Sequence, residues 1–298
     1  MLVVLNDGIG QMCNKILFQI NILASAYVRD YQVTYYNMQK FPGFRMYQAD
    51  LEKHLTRKKN VPKIRYFFIR GMHKGLAKIG KSHKRYVMVG AKNQKESEVL
   101  ITSNYLQLHT SYLYGWPFYD LTALRKAGRQ IREFMSPDKE VQEYVESVLS
   151  ELRNTAKLVI GVHLRRGDYL NWRNGAYYYC NEQYKKCMDM FYENVSKGHK
   201  CTFVLFSNEK IDEKEFNDDR YKVVIISGSA AQDFHTMSKC DYLIGPPSSF
   251  SGLASFMGQV PRYMIENPNR PYEEKDMLVW LEETGSWGLP IQEEEHDD

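Results

Sequence analysis

Seven residues, Leu158-Val-Ile-Gly-Val-His-Leu164, form a near-continuous apolar run that stops abruptly at Arg165-Arg166-Gly167-Asp168. A strand with one wet face alternates apolar and polar residues. An unbroken run of this length belongs to a strand buried on both faces of a parallel sheet. Parallel strands need long crossovers, usually helical, so strand and helix should alternate around it. They do. The pattern predicts a helix over Glu182–Val195 and strands at Cys201–Phe206, Tyr221–Ile226 and Tyr242–Ile244. A short helix over Asp233–Cys240 and another from about Ser251 complete this half.

The first half opens in the same grammar. Leu2-Val-Val-Leu5 is a short apolar run, followed by the glycine turn Asp7-Gly8-Ile9-Gly10. Met12, Ile16, Ile20, Leu23 and Tyr27 then recur at helical spacing. Tyr31–Tyr36 and Val99–Ile101 read as strands and Tyr119–Met135 as a helix. Ser136-Pro137-Asp138 starts a further helix through Leu152. The 298 residues fit an α/β protein of two Rossmann-like domains, 1–152 and 153–298, with the boundary near 150–157 and a ligand cleft between them.

Other classes are disfavoured. The five cysteines, Cys13, Cys180, Cys187, Cys201 and Cys240, have neither disulfide-framework nor zinc spacing, which suggests a reducing compartment. Met1–Leu5 lacks the basic flank and length of a signal peptide, and no apolar run approaches the roughly 20 residues of a membrane span. A cytoplasmic protein, at most peripheral on the inner face of a membrane, is the expectation. No Asp-x-Asp, no phosphate-loop motif and no His pair at metal spacing occurs, so no metal or cofactor is expected.

Ligands of open α/β sheets gather at the carboxyl ends of strands, and three polar segments fall there. In His163-Leu-Arg165-Arg166-Gly-Asp168 two always-charged, fork-shaped guanidinium groups suit a diphosphate; a salt-bridged strand end is the plain alternative. Ser207-Asn208-Glu209 offers groups for ribose or sugar hydroxyls, or simply a helix cap. Asp233 could accept paired bonds from guanine. Ser248, Ser249 and Phe250 open a helix, an anion site by its exposed N–H groups, or again only a cap.

Taken in order, H-x-R-R-G-D-Y, F-S-N-E, D-x-x-x-M-S-x-C and S-S-F-S resemble glycosyltransferase family 11, the α-1,2-fucosyltransferases, and Asp7-Gly-Ile-Gly-Gln-Met12 looks like a shortened form of its glycine-rich opening. The resemblance implies a GT-B arrangement, GDP-fucose as donor substrate, inversion and no metal. It implies an acceptor-side domain over 1–152 and a nucleotide-sugar domain over 153–298. Arg165 and Arg166 would hold the diphosphate, Asp233 would read guanine and Ser248 and Ser249 would lie near phosphate. His163, Ser207, Asn208, Phe250, Gly8 and Gly10 complete the donor-site candidates, and Arg165, Arg166 and Asp168 the catalytic ones. This chain departs from the family in the missing residue and Asp7 of its opening, and in Gly252-Leu253 where tryptophans usually follow. Those departures motivate a second reading, a non-catalytic nucleotide-sugar or glycan-binding protein.

The general base is left among Asp7, Asp168 and Glu209, with Asp168 better suited to orienting the arginines. Between Arg57 and Lys95 there are thirteen Lys and Arg and no acid, interleaved with apolar residues. Such a stretch can lie on an anionic membrane, where a lipid-linked glycan or other oligosaccharide acceptor would be met. An ordinary amphipathic helix is its plain reading, and no nucleic-acid partner is expected.

Overall fold

The computed structural model of the chain describes residues 1–4, 10–58, 62, 67–68, 71–72, 88–89, 105–108, 111–113 and 119–285. The chain divides into two compact units, Met1–Ser136 and Pro137–Asp298.

In the first unit the parallel strands β1 (Leu2–Val4), β2 (Val33–Tyr36), β3 (Leu55–Lys58), β4 (Met88–Val89) and β5 (Ser111–Leu113) lie in the order β3-β2-β1-β5-β4. Helix α1 (Met12–Val28) follows the glycine turn, and Ile16, Ile20 and Leu23 on its predicted apolar stripe are buried. Short helices α2 (Ala49–Glu52) and α3 (Tyr105–Leu108) come next. The single helix predicted over Tyr119–Met135 is two, α4 (Leu121–Lys126) and α5 (Gly128–Phe134). The backbone breaks at Ala127 (φ −91°, ψ 10°), just before a glycine that weakens helix continuity. Asp120 caps α4 by accepting the Ala123 N–H at 3.1 Å and takes a bidentate pair from Arg29 at 2.7 and 3.1 Å.

Most of the basic stretch, the strand predicted at Val99–Ile101, and Asp7 and Gly8 lie outside the described residues. Phe67, Phe68 and Met72 of that stretch are exposed. No helix among the described residues is long and apolar enough to cross a membrane.

The second unit begins earlier than the expected 153. Asp138 caps helix α6 (Lys139–Arg153), accepting the Val141 N–H at 3.0 Å, and α6 packs on helix α8 (Ala230–Met237). Arg153 at its end donates to Asp241 at 3.0 Å, and Asp241 also accepts the Val159 N–H at 2.8 Å. This helix therefore belongs with the second sheet, which is why the division falls at Ser136–Pro137.

That sheet contains β6 (Leu158–Leu164), β7 (Cys201–Ser207), β8 (Lys222–Ile225), β9 (Tyr242–Gly245) and β10 (Arg262–Met264), all parallel, in the order β10-β9-β6-β7-β8. The apolar run that opened the sequence is its centre, paired along its full length with β7 from Leu158↔Cys201 to Leu164↔Ser207. Gly161 leaves room on it for the neighbouring strand's Leu243. A Cβ there would stand 2.6 Å from Leu243 Cδ2 on the neighbouring strand. Helix α7 (Asn181–Asn194) buries Tyr184, Cys187, Met188 and Phe191 against Phe203 and Leu205, each large apolar side chain contributing about 1.5–3 kcal/mol. Helix α9 (Ser249–Gly258) connects β9 to β10. Cys180, Cys187, Cys201 and Cys240 are free thiols, and burial pushes Cys187 up to about 12.

Strand order reverses between β6 and β9. The crevice at the carboxyl ends of the two strands flanking such a reversal is where open sheets bind ligands.

Candidate functional site

The loop after β6 and the loop after β9 meet at this reversal. Past Leu164 the Arg165 N–H donates to the Tyr184 hydroxyl at 3.2 Å, and the Arg166 N–H to Asn208 Oδ1 at 3.0 Å. The chain then turns through Gly167 at φ +61°, where a Cβ would come 2.9 Å from Asn208 Nδ2. Only glycine adopts that backbone freely so close to a neighbour. Asn208 is thus a support for the arginine loop. Its neighbour Ser207 accepts the Glu209 N–H at 3.1 Å, and Glu209 itself is exposed, its Oε1 3.7 Å from where a Gly167 Cβ would be.

The two guanidinium groups are held differently. Arg165 pairs with Asp168 at 2.8 Å and lies 5.4 Å over the Tyr169 ring; its side chain is 16% exposed and that of Asp168 54%. Asp168 is therefore the ion-pair partner of Arg165. Arg166 donates to Asn181 Oδ1 at the start of α7 and lies 6.0 Å over the Tyr184 ring. Its Nε is buried with no hydrogen-bond partner.

The β9 loop, Gly245-Pro246-Pro247-Ser248, is tied to the arginine loop by Tyr169, whose hydroxyl donates to the Pro247 carbonyl and lies within hydrogen-bond reach of Ser248. Ser248 caps α9, accepting the Phe250 N–H at 3.2 Å, and Ser249 is the first helical residue. The positive end of the helix dipole and its N–H groups thus stand beside the arginines. The Phe250 ring joins three segments, 5.5 Å from the His163 ring and 5.8 Å from Phe234 on α8. Asp233 precedes that phenylalanine. Its Oδ1 accepts the Gly228 N–H at 2.9 Å, and burial raises its proton affinity.

His163 is buried, and its Nδ1 has no hydrogen-bond partner. Burial, then the charges of Arg165 and Arg262, holds it down to about 3 from an ordinary 6.5. The imidazole is neutral in the folded protein at working pH. A histidine of this kind takes its proton first in the unfolded chain, so the stability it permits is whole above pH about 6.5 and is lost progressively towards about 3. His163→Phe, which keeps the ring against Phe250, is expected to lose about 2 kcal/mol less than wild type between pH of about 7 and about 4.5, read from urea midpoints. An equal acid loss in both proteins would exclude His163 as the cause.

In the first unit Gly10 (φ +95°) is required at the turn before α1, since a Cβ there would lie 2.4 Å from Asn14 Nδ2. Sequence reasoning missed Tyr169, Tyr184, Asn181 and Arg262. The first three bond across long sequence separations. Arg262 carried a visible signal, a lone cation inside the apolar run Val260-Pro-Arg-Tyr-Met-Ile265, which is strand β10 and its flanks.

Residues 92–278 match the model of Glycosyl transferase family 11. Galactoside alpha-(1,2)-fucosyltransferase 2 of Rattus norvegicus is 29% identical over 180 residues, covering 55% of this chain and 48% of that protein. The chain thus spans about half the length of this curated relative. Among solved structures, an Arabidopsis thaliana FUT1 variant in complex with GDP aligns with a TM-score of 0.57 at 11% identity, over 92% of this chain and 71% of that one. POFUT1 in complex with GDP-fucose aligns at 0.54 and 12%, over 87% and 94%. The fucosyltransferase NodZ from Bradyrhizobium aligns at 0.53 and 14%, over 90% and 96%. At these identities the likeness is one of fold.

Proposed function

The chain belongs to Glycosyl transferase family 11, and from that premise we propose that it moves fucose from GDP-fucose to a hydroxyl of a glycan, with inversion, in an α-1,2 linkage and without a metal ion. The observation that carries this is the pair of guanidinium groups held at the carboxyl end of β6, at the strand-order reversal and beside the start of α9. As the bond between the fucose anomeric carbon and the β-phosphate oxygen breaks, its electron pair leaves with GDP. Fixed cations there stabilise the transition state more than the ground state. The acceptor oxygen forms the new bond from the opposite face, and its proton passes to a carboxylate. With Asp168 paired to Arg165, we assign that base to Asp7 or Glu209. Asp233 is assigned to guanine and Ser248 and Ser249 to phosphate.

In this reading the second unit binds the nucleotide sugar and the first meets the acceptor, in a GT-B arrangement with the cleft between them. The acceptor is an oligosaccharide or a lipid-linked glycan. The basic stretch of residues 57–95, with Phe67, Phe68 and Met72 exposed, supports peripheral contact with an anionic membrane.

GDP at about 100 times its Kd is expected to stabilise the protein by about 2.7 kcal/mol, whereas UDP and CDP leave the melting temperature unchanged. Fucose transfer or donor hydrolysis is expected to continue in EDTA. Stabilisation by GDP with neither activity would reassign the chain to a non-catalytic binding role. No response to GDP would overturn the reading.

A further inference from the structure

Arg262, at the start of β10, is only 4% exposed, and among the described residues no Asp or Glu pairs with it. Its Nη2 donates to the Pro246 carbonyl at 2.6 Å, while its Nε is buried with no hydrogen-bond partner. The charged or titratable groups that act on it or share its field are Tyr169, His163 and Arg165. None is an anion at neutral pH. Burial lowers its proton affinity to about 10, which still leaves it charged at neutral pH. Burying a guanidinium without a counter-ion is costly, and buried charges are ordinarily paired. One bond to a carbonyl is a poor return for a whole charge.

Its place resolves the difficulty. The Pro246 carbonyl that it holds lies two residues before the Ser248 cap of α9. The next carbonyl, that of Pro247, is held from the other side by Tyr169, the residue under the Arg165 guanidinium. Both loops of the strand-order reversal are therefore braced around this third cation. His163 Nδ1 and Arg166 Nε at the end of β6, and Ser251 Oγ in the first turn of α9, likewise have no hydrogen-bond partner.

We propose that Arg262 is a positioning residue of the donor site, holding the Pro246–Ser249 loop and supplying from beneath it a positive charge whose counter-ion is the diphosphate of the bound nucleotide. This rests on the diphosphate reading given above and adds to it a residue and a role. Apo protein then carries an uncompensated charge, and the anion compensates it.

The 298-residue chain and two variants test this, with GDP and inorganic pyrophosphate as probes followed by calorimetry and thermal melting. R262Q keeps a donor for the Pro246 carbonyl but no charge; R262K keeps the charge without the fork. R262Q is expected to bind both probes on the order of 30-fold more weakly while melting, without ligand, no lower than wild type. R262K is expected to bind within about 5-fold of wild type. A purely structural arginine gives the reverse, with R262Q binding as wild type but melting lower, and that result overturns the proposal. Should R262Q fail to fold, R262K decides alone, and a loss on the order of 30-fold in that variant overturns it. Wild-type protein that answers to neither probe would refute the diphosphate site itself. Wild type that binds pyrophosphate but not GDP would refute only the nucleotide assignment and leave the Arg262 comparison to pyrophosphate.

Discussion

Arg165→Ala is expected to lower kcat for fucose transfer by about 10³-fold with little change in fold. The size follows from removing one preorganised cation from the place where the leaving diphosphate gains charge, a loss of roughly 4 kcal/mol of transition-state stabilisation. The fold should tolerate it. The partner Asp168 is 54% exposed, so water takes over its solvation, and a half-exposed pair contributes only about 0–1 kcal/mol to stability. Packing over Tyr169 is lost as well, at a similar modest cost. Steady-state kinetics beside circular dichroism and thermal melting separates the two effects. Turnover within a few-fold of wild type would refute the role given to this guanidinium. Arg165→Lys should fall between, retaining charge but not the planar fork that meets a diphosphate at two points.

Gly258→Ala should be the most disruptive single methyl in the second unit. A Cβ at that position would stand 1.8 Å from the Ser238 carbonyl oxygen and 2.9 Å from Val260 Cγ2. The first neighbour is backbone at the end of α8, so no rotamer relieves the clash, and the last turn of α9 must move off α8. Overpacking usually costs about 1–3 kcal/mol; with a backbone carbonyl as the clashing neighbour the upper end or beyond is expected. For a chain of this size that lowers the melting temperature by about 5 °C. GDP affinity should fall with it, because α8 carries Asp233 and α9 carries the Ser248 cap. A variant melting within about 2 °C of wild type would refute this close apposition of α8 and α9.

The parts legible in the sequence are those that local chemistry decides. Strand β6 matches its predicted bounds, because a parallel strand covered on both faces needs an uninterrupted apolar run. Asp138 announced α6, because a cap is set by one side chain and the N–H groups that follow. The start of α8 was misplaced at Asp233. The helix begins at Ala230, under a reciprocal cap between Ser229 and Gln232 that the more conspicuous carboxylate obscured. The domain boundary, the split at Ala127 and the short edge strand β10 depend on what packs against them, and no local pattern encodes that.

The site divides in the same way. Arg165, Arg166, Asp168 and Ser248 stand where strand-end reasoning put them. Asn208, offered as a sugar ligand, also braces a backbone N–H, a contact that no local pattern encodes, since partners so far apart in sequence meet only once the sheet forms. The absent tryptophan after Ser251 has a spatial answer. A Cβ at Gly252 would lie 2.7 Å from Trp280, so an indole from beyond β10 rests where the glycine leaves room.

Two adjacent prolines with both carbonyls gripped, Pro246 by Arg262 and Pro247 by Tyr169, leave that corner almost nothing to rearrange. On the diphosphate reading proposed above, a nucleotide arriving there would meet a stiff seat, so little ordering entropy would be spent on that side of its site.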